Sequence, residues 1–463
     1  MSDQVDTVEN AEDETEDDYA LRKRVIAAAV AATKADDRPQ LEGVLEPLHP
    51  ADIADLLEQV DPEDRAAILN LAGDYIDGDI LSEIDEDIRD EVVETLEPEV
   101  LAAAVQKLES DDVVDILEDL EQSKQDAILD ALDIVDRVAV EQALSYPEES
   151  AGRLMQREVV IAPEHWSVGD AIDHMRARQD LPEQFYHLIL VDPRHRPTAY
   201  VTLGRVMSSP RDTKLADITE DSFRTFDVVE DEGDVAYAFN QYHLISAPVV
   251  DDDGRLVGVI TIDDAMGILD EEHEEDVLRL GGVGDESLSN STLEIVRRRF
   301  PWLAINLATA ILASIVIAQF EDVLAAAVAL AVLMPIVASM GGNAGTQSMT
   351  VAVRALATRD LTGSNALRVV RRESVAGLLN GVIFAVVMGI VGLIWFGSPV
   401  IGVIIAVAMV INLLAAGLAG VLIPLALDKA GVDPALASGT FVTTVTDVVG
   451  FFAFLGLASV VLL

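Results

Sequence analysis

Between Leu48 and Leu144 apolar residues return every twelve positions, at Leu48, Val60, Ile84, Leu96, Leu108, Leu120, Leu132 and Leu144. Most are followed by a polar opening such as "DPED", "EPEV" or "ESDD", then by a short amphipathic run such as "RAAIL", "VLAAAV" or "VVDIL". Acidic and proline-bearing openings ahead of apolar runs are helix starts. The spacing therefore predicts short helices stacked in pairs of about 24 residues, an α-helical superhelix over 19–144.

At Ser145 this rhythm stops and alternating β and α patterns begin. The stretch ending at Met207 aligns without gaps on the stretch ending at Met266, so that Val191, Asp192, Arg196, Thr202 and Met207 match Val250, Asp251, Arg255, Thr261 and Met266. A helix, a strand, a turn, a second strand and another helix in each copy predict a tandem α/β module over 145–269, dividing at about 207. A helical connector is predicted over 270–299.

Five apolar stretches follow, at about 301–320, 323–341, 374–396, 400–427 and 436–462, each long enough to cross a bilayer core of about 20 helical residues. Arg297, Arg298 and Arg299 precede the first, and Arg354, Arg359, Arg368, Arg371 and Arg372 follow the second. The excess of basic residues on the cytoplasmic side places both groups inside. With an odd number of spans the carboxyl terminus is expected outside. The acidic start, with neither a basic nor an apolar leader, predicts no signal peptide.

Charge divides along the same line. The chain carries 82 acidic and 31 basic side chains, and 75 of the acids and 25 of the bases precede Phe300. Positions 1–18 read as a disordered acidic tail. Six lysines against 25 arginines, with acid everywhere, fit the solvated surface of a salt-adapted protein, and a divalent-ion sensor needs only a few of these groups. Cysteine is absent, which excludes disulfides and thiolate metal sites. No nucleophile elbow, phosphate loop or histidine metal spacing occurs, so no enzyme is indicated.

Three constellations could carry chemistry. In "GTFVTTVTDVVG" Asp447 is the only ionisable side chain of the last apolar stretch, and Thr440, Thr443, Thr444 and Gly450 fall within about 60 degrees of it on a helix. A carboxylate there marks a cation path, or else a polar packing seam. In "LMPIVASMGGNAGTQSMT" Pro335, Gly341 and Gly342 are expected to interrupt the helix, either freeing carbonyls beside Asn343 and Gln347 for a hard cation or forming a turn at its end. The third constellation is acidic: Asp251 in "VVDDDG", certainly a hairpin turn, and Asp270, Glu272, Glu275 and Asp276 in "LDEEHEED", either a solvated face or an ion site. The α/β copies resemble CBS domains, and in such modules the Thr-x-x-Asp spacing of Thr261 and Asp264 can hold a nucleotide, but Arg205 replaces the aspartate in the first copy, leaving a half-built site.

The order of parts, with "GGNAGTQSMTVAVRALATRDL", "GVDPALASGTFVTTVTDVVG" and "YPEESAGRLM", resembles the MgtE family of magnesium channels, and the α/β pair resembles tandem CBS domains. The resemblance implies a multidomain membrane protein: a helical N domain, a CBS pair, a plug helix and an all-α five-helix transmembrane domain. It implies a homodimer in the cell membrane among lipids, with no nucleic-acid partner. Its pore would be lined by the second and fifth membrane helices, with Asp447 binding hydrated Mg²⁺ and Thr443, Thr444, Asn343, Gly341, Gly342 and Gln347 alongside. Cytosolic Mg²⁺ bound near Asp251, Asp270, Glu272, Glu275 and Asp276 would close it, and an adenine nucleotide could occupy the CBS pair. Rival readings are a channel for Co²⁺ or Mn²⁺ and a membrane sensor that transports nothing.

Overall fold

The computed structural model describes residues 21–283 and 292–462, apart from positions 22, 119, 121, 179, 180 and 183. The acidic tail and part of the expected connector lie outside the described residues. The chain divides into two compact units, Met1–Glu272 and His273–Leu463.

The first unit opens with short helices: α1 Lys23–Lys34, α2 Arg38–Leu45, α3 Pro50–Gln59, α4 Pro62–Ala72, α5 Gly78–Ser82, α6 Glu86–Thr95, α7 Pro98–Val105, α8 Ser110–Glu118, α9 Gln122–Ala131 and α10 Ile134–Ala143. Proline occupies the first turn of α3, α4 and α7, where its missing N–H costs nothing. The twelve-residue repeat marks where helices stop, since Val60 and Leu144 are C-caps and the other repeat residues follow helix ends by one to three positions. Val60, Ile84, Leu96 and Leu120 are buried in the common core, and Leu48, Leu108, Leu132 and Leu144 pack against it.

A second repeat accompanies the first. Arg65 Nε donates to the Leu57 carbonyl, eight residues back, at 2.8 Å. Arg89 Nε and Nη2 donate to the Ile84 carbonyl, five back, and Gln125 Nε2 donates to the carbonyls of Leu117 and Leu120, eight and five back. These side chains share one phase of the repeat and satisfy carbonyls that each preceding helix leaves open.

The α/β part follows through α11 Ala151–Leu154. Strands β1 Ile161–Pro163, β2 His187–Val191 and β3 Pro197–Thr202 form one sheet, and β4 Phe226–Asp227, β5 Ser246–Val250 and β6 Leu256–Thr261 form another. In both sheets the first pair is parallel and the second antiparallel, with a register shift at Leu190/Val191 in one and Val249/Val250 in the other. The irregularity is thus duplicated along with the sequence around it. Helices α12 Val168–Ala177, α13 Leu203–Ser208 and α14 Glu232–Tyr242 complete the two copies, followed by α15 Ile262–Leu280.

The second unit is helical: α16 Thr292–Ala318, α17 Glu321–Ala326, α18 Val328–Ala357, α19 Ala366–Phe396, α20 Pro399–Lys429 and α21 Pro434–Leu462. Among the described residues, five of its helices are long and apolar enough to cross a membrane. The second of these starts later than its sequence pattern suggests and runs on to Ala357, so Arg354 lies in its last turn.

The expected interruption of this helix is absent. α18 continues through Pro335, Gly341 and Gly342, so the glycine pair frees no run of carbonyls beside Asn343 and Gln347. Gly341 and Gly345 serve close packing instead: a Cβ at Gly341 would overlap the Asn412 amide of α20, and one at Gly345 would lie 2.6 Å from a Val442 methyl of α21. Small residues of this kind let membrane helices approach each other.

Candidate functional site

On α21 the threonine stripe has two edges. Thr440 and Gly450 are buried, as is Thr446, whereas Thr443 is exposed and Thr444 and Asp447 are half-buried. The hydroxyls bond within their own helix, Thr443 to the Gly439 carbonyl at 2.9 Å and Thr444 to the Thr440 carbonyl at 2.6 Å. α18 carries a comparable face: Ser339, Asn343, Thr346, Gln347 and Thr350 are not buried, and Asn343 Nδ2 donates to the Ser339 carbonyl at 2.8 Å. Gly342 faces open space, but Gly341 faces the core. The two helices pack through Gly345, Val442 and Thr446. Two apolar membrane helices therefore present uncovered polar faces, which hydrocarbon does not tolerate and a water-filled path does.

The predicted acidic residues divide among three places. Asp251 is spent on its turn, its carboxylate accepting from the backbone N–H groups of Asp253 at 2.9 Å and Arg255 at 2.8 Å. Asp192 does the same in the first copy. Asp270 and Glu272 are exposed on α15, where Glu272 Oε1 lies 2.7 Å from the position a Cβ on Gly233 would take.

In the second unit Glu275 pairs with Arg279 at 2.6 Å, and Arg279 also reaches Asp433 at 3.6 Å. Burial, then the charge of Asp433, raises the carboxyl of Asp276 above its ordinary range. Leu280 packs beside them on Met349, Val353, Ala435 and Val442. Asp433 also accepts from the Ala435 N–H at 2.7 Å, at the start of α21. It stands in the quoted "GVDPALASG" motif, yet sequence alone offered no reason to pair it with Asp276.

Apart from Asp264, the most perturbed acids were not singled out from sequence. The start of α8 abuts the first α/β copy: Ser110 Oγ donates to Glu158 at 2.9 Å, the Arg157 N–H donates to Ser110 Oγ at 2.8 Å, and Gln156 donates to Glu109. Asp111 is buried there, close enough to Asp264 of α15 for their charges to oppose. Burial, followed by repulsion from Glu158, lifts Glu109 to about 7; burial and Asp264 lift Asp112 to about 7. Asp264 itself is raised to about 6, mainly by burial. Nearby, burial and then Glu118 push Glu232 up to about 8. Carboxylates crowded in this way resist ionising together. Among the described residues no group of three or more His, Asp or Glu converges into a bare metal site. An ion that keeps its water and touches one or two carboxylates needs no such convergence.

The nucleotide pair is otherwise engaged. Thr261 Oγ1 donates to Asp264 at 2.7 Å and to Asp263 at the start of α15. The neighbouring cavity, lined in part by Gln156, Tyr186, His187, Ser246 and Thr261, measures about 20 Å³, enough for one water.

Comparison with known proteins follows the same division. Residues 334–457 match the MgtE family described as "Divalent cation transporter", 48–149 match "MgtE intracellular N domain", and 151–212 and 216–271 match "CBS domain". The chain is 33% identical over 320 residues to "Magnesium transporter MgtE" of Enterococcus faecalis, covering 69% of this chain and 71% of that one. It is 34% identical over 337 residues to the protein of that name from Thermus thermophilus, covering 72% and 74%. Among solved structures it is similar to "Crystal structure of the cytosolic domain of the Mg2+ channel MgtE in complex with ATP", at 28% identity and TM-score 0.48, covering 52% of this chain and 99% of that one.

Proposed function

Because the chain belongs to the MgtE family of divalent cation transporters, we propose that it conducts Mg²⁺ across the cell membrane and is closed by Mg²⁺ on its cytoplasmic side. The observation that carries the conduction reading is the pair of uncovered polar faces, Asn343 and Gln347 on α18 and Thr443 and Asp447 on α21. A second copy covers those faces in this reading, so that a homodimer encloses a wet path with an Asp447 from each subunit. Mg²⁺ gives up its water reluctantly, and a few carboxylates among polar oxygens suit the hydrated ion.

Closure follows from the crowded acids. Glu109, Asp111, Asp112 and Asp264 in the first unit, and Asp276 with Asp433 in the second, oppose one another when ionised. A dication favours the state in which such groups are close, and a ligand shifts a conformational equilibrium only by that difference in affinity. Falling cytosolic Mg²⁺ restores the repulsion and opens the path. Asp270, Glu272 and Glu275 join this sensing surface, whereas the turn bonds of Asp251 limit its share. An adenine nucleotide at Thr261 and Asp264 would have to displace the bond between them.

The test is Mg²⁺ entry into proteoliposomes carrying the purified chain. Entry that falls as Mg²⁺ is added on the side of the soluble domains supports both parts. No entry for any ion points to a sensor that transports nothing, and faster entry of Co²⁺ or Mn²⁺ reassigns the cargo. A reporter joined after Leu463 should be active only outside the cell.

A further inference from the structure

We propose that Asn412 is a positioning residue of the conduction path, an inference that rests on the transport reading above. Between Ser398 and Asp428, Asn412 is the only polar side chain of α20, and it is 0% exposed. A polar group in that setting is costly unless it is bonded. Its Nδ2 donates to the Val337 carbonyl of α18 at 2.8 Å, while its Oδ1 has no hydrogen-bond partner among the described residues. Packing alone would be served by the apolar residues used along the rest of α20.

What distinguishes the site is what flanks the amide. A Cβ on Gly450 of α21 would stand 2.8 Å from Nδ2, 2.9 Å from Cγ and 3.0 Å from Oδ1, and a Cβ on Gly341 of α18 would overlap the same three atoms. The flat amide is thus held between two glycine faces, one on each helix that presents a polar surface. Gly450 lies three residues beyond Asp447, about 4.5 Å along the helix, and Gly341 lies two before Asn343. From behind, one amide sets the separation of α18 and α21 through its thickness, and the Val337 bond fixes where along α18 that amide sits. Asn343 and Asp447 take their relative positions from it without touching it.

The test uses the full chain in proteoliposomes and reads the half-saturating Mg²⁺ concentration and the preference for Mg²⁺ over Ca²⁺. These quantities do not change when fewer molecules are merely assembled. Asn412→Ala removes the spacer and the bond, and should raise half-saturation roughly fivefold, the ratio set by one net hydrogen bond, while weakening the ion preference. Gly450→Ala aims a single methyl at the same amide and should shift both quantities in the same direction, which keeps the test open if Asn412→Ala fails to assemble. Asn412→Asp has the same flat shape and, as the acid, can donate the same bond to Val337, so it should stay near the wild type. Wild-type half-saturation and preference in whichever alanine variant assembles would overturn the inference, as would a shift in Asn412→Asp as large as that in Asn412→Ala. A wild type that carries no ion would instead overturn the transport reading.

Discussion

His187 Nδ1 and Ser246 Oγ meet at 2.5 Å, and the two residues hold the same place in the two copies of the α/β module, 59 positions apart. Equivalent residues that touch lie on the axis relating the copies, so the contact marks where the repeat folds onto itself. Tyr200 closes over the imidazole edge-on, with ring centres 4.3 Å apart. Burial lowers the pKa of His187 to about 4.

A histidine held neutral in this way gives the fold an acid-side weakness. The ordinary imidazole value lies near 6.5, so on acidification the unfolded chain takes up the proton first. The contribution is complete above about pH 6.5 and is lost as pH falls towards 4, by on the order of 2 kcal/mol. Thermal unfolding of wild type and His187→Gln, compared across that range, should show the wild type losing more stability. Parallel curves would mean that the imidazole is solvated.

The crowded carboxylates act with the opposite sign. Glu109, Asp112, Asp264 and Glu232 have values raised to about 7, 7, 6 and 8, so the folded protein retains protons that the unfolded chain has lost. Stability from these groups is present at about pH 4 and declines as pH rises through 6 to 8. Mg²⁺ should reverse the decline and expel protons as it binds. Calorimetric titration at pH 6.5 in two buffers of different ionisation enthalpy should give different heats, converging at pH 9. Equal heats at pH 6.5 would leave these groups no part in binding.

Neutralising Asp270, Glu272, Glu275 and Asp276 together should weaken the protection that Mg²⁺ gives the soluble region against protease, and leave transport active at high Mg²⁺. The measurement is made at constant ionic strength, because screening alone changes crowded surface charge. Unchanged protection would return the four residues to the solvated surface.

Asp447→Asn keeps the shape and removes the charge, and should cost Mg²⁺ flux at least about tenfold while assembly remains normal, since an ionisable group at membrane depth is retained for function. Flux near that of the wild type would make Asp447 a packing residue.

How much of this was legible in sequence depended on how far apart the partners lie. The twelve-residue spacing was readable because each repeat residue does a local task at the end of its own helix, and the doubled α/β module because whole turns were copied, Asp192 and Asp251 included. The pair Gly341 and Gly342 misled because glycine in an apolar helix signals either a break or a close neighbour, and Gly341 has the neighbour while Gly342 faces open space. The neighbour, Asn412, stands two membrane helices further along the chain and looks like any isolated amide. Asp111 and Asp112 read as a good helix opening, which they are. Their other surroundings, at Asp264, come from a different domain and leave no local trace.

The hydrogen bonds inside α18 and α21 decide what the polar faces offer to anything passing them. Thr443 and Thr444 direct their hydroxyl protons back into their own helix, Thr350 gives its proton to the Thr346 carbonyl, and Asn343 turns its NH₂ towards Ser339. At these four residues the donors are spent, so what they leave outward is lone pairs, hydroxyl oxygens and an amide oxygen, beside the carboxylate of Asp447 and the exposed amide of Gln347. Such a lining would accept the outward-pointing hydrogens of a water shell around a cation, and would offer chloride or phosphate few donors. In a path lined this way, rejection of anions would rest on the direction of a few hydroxyl rotors as well as on charge.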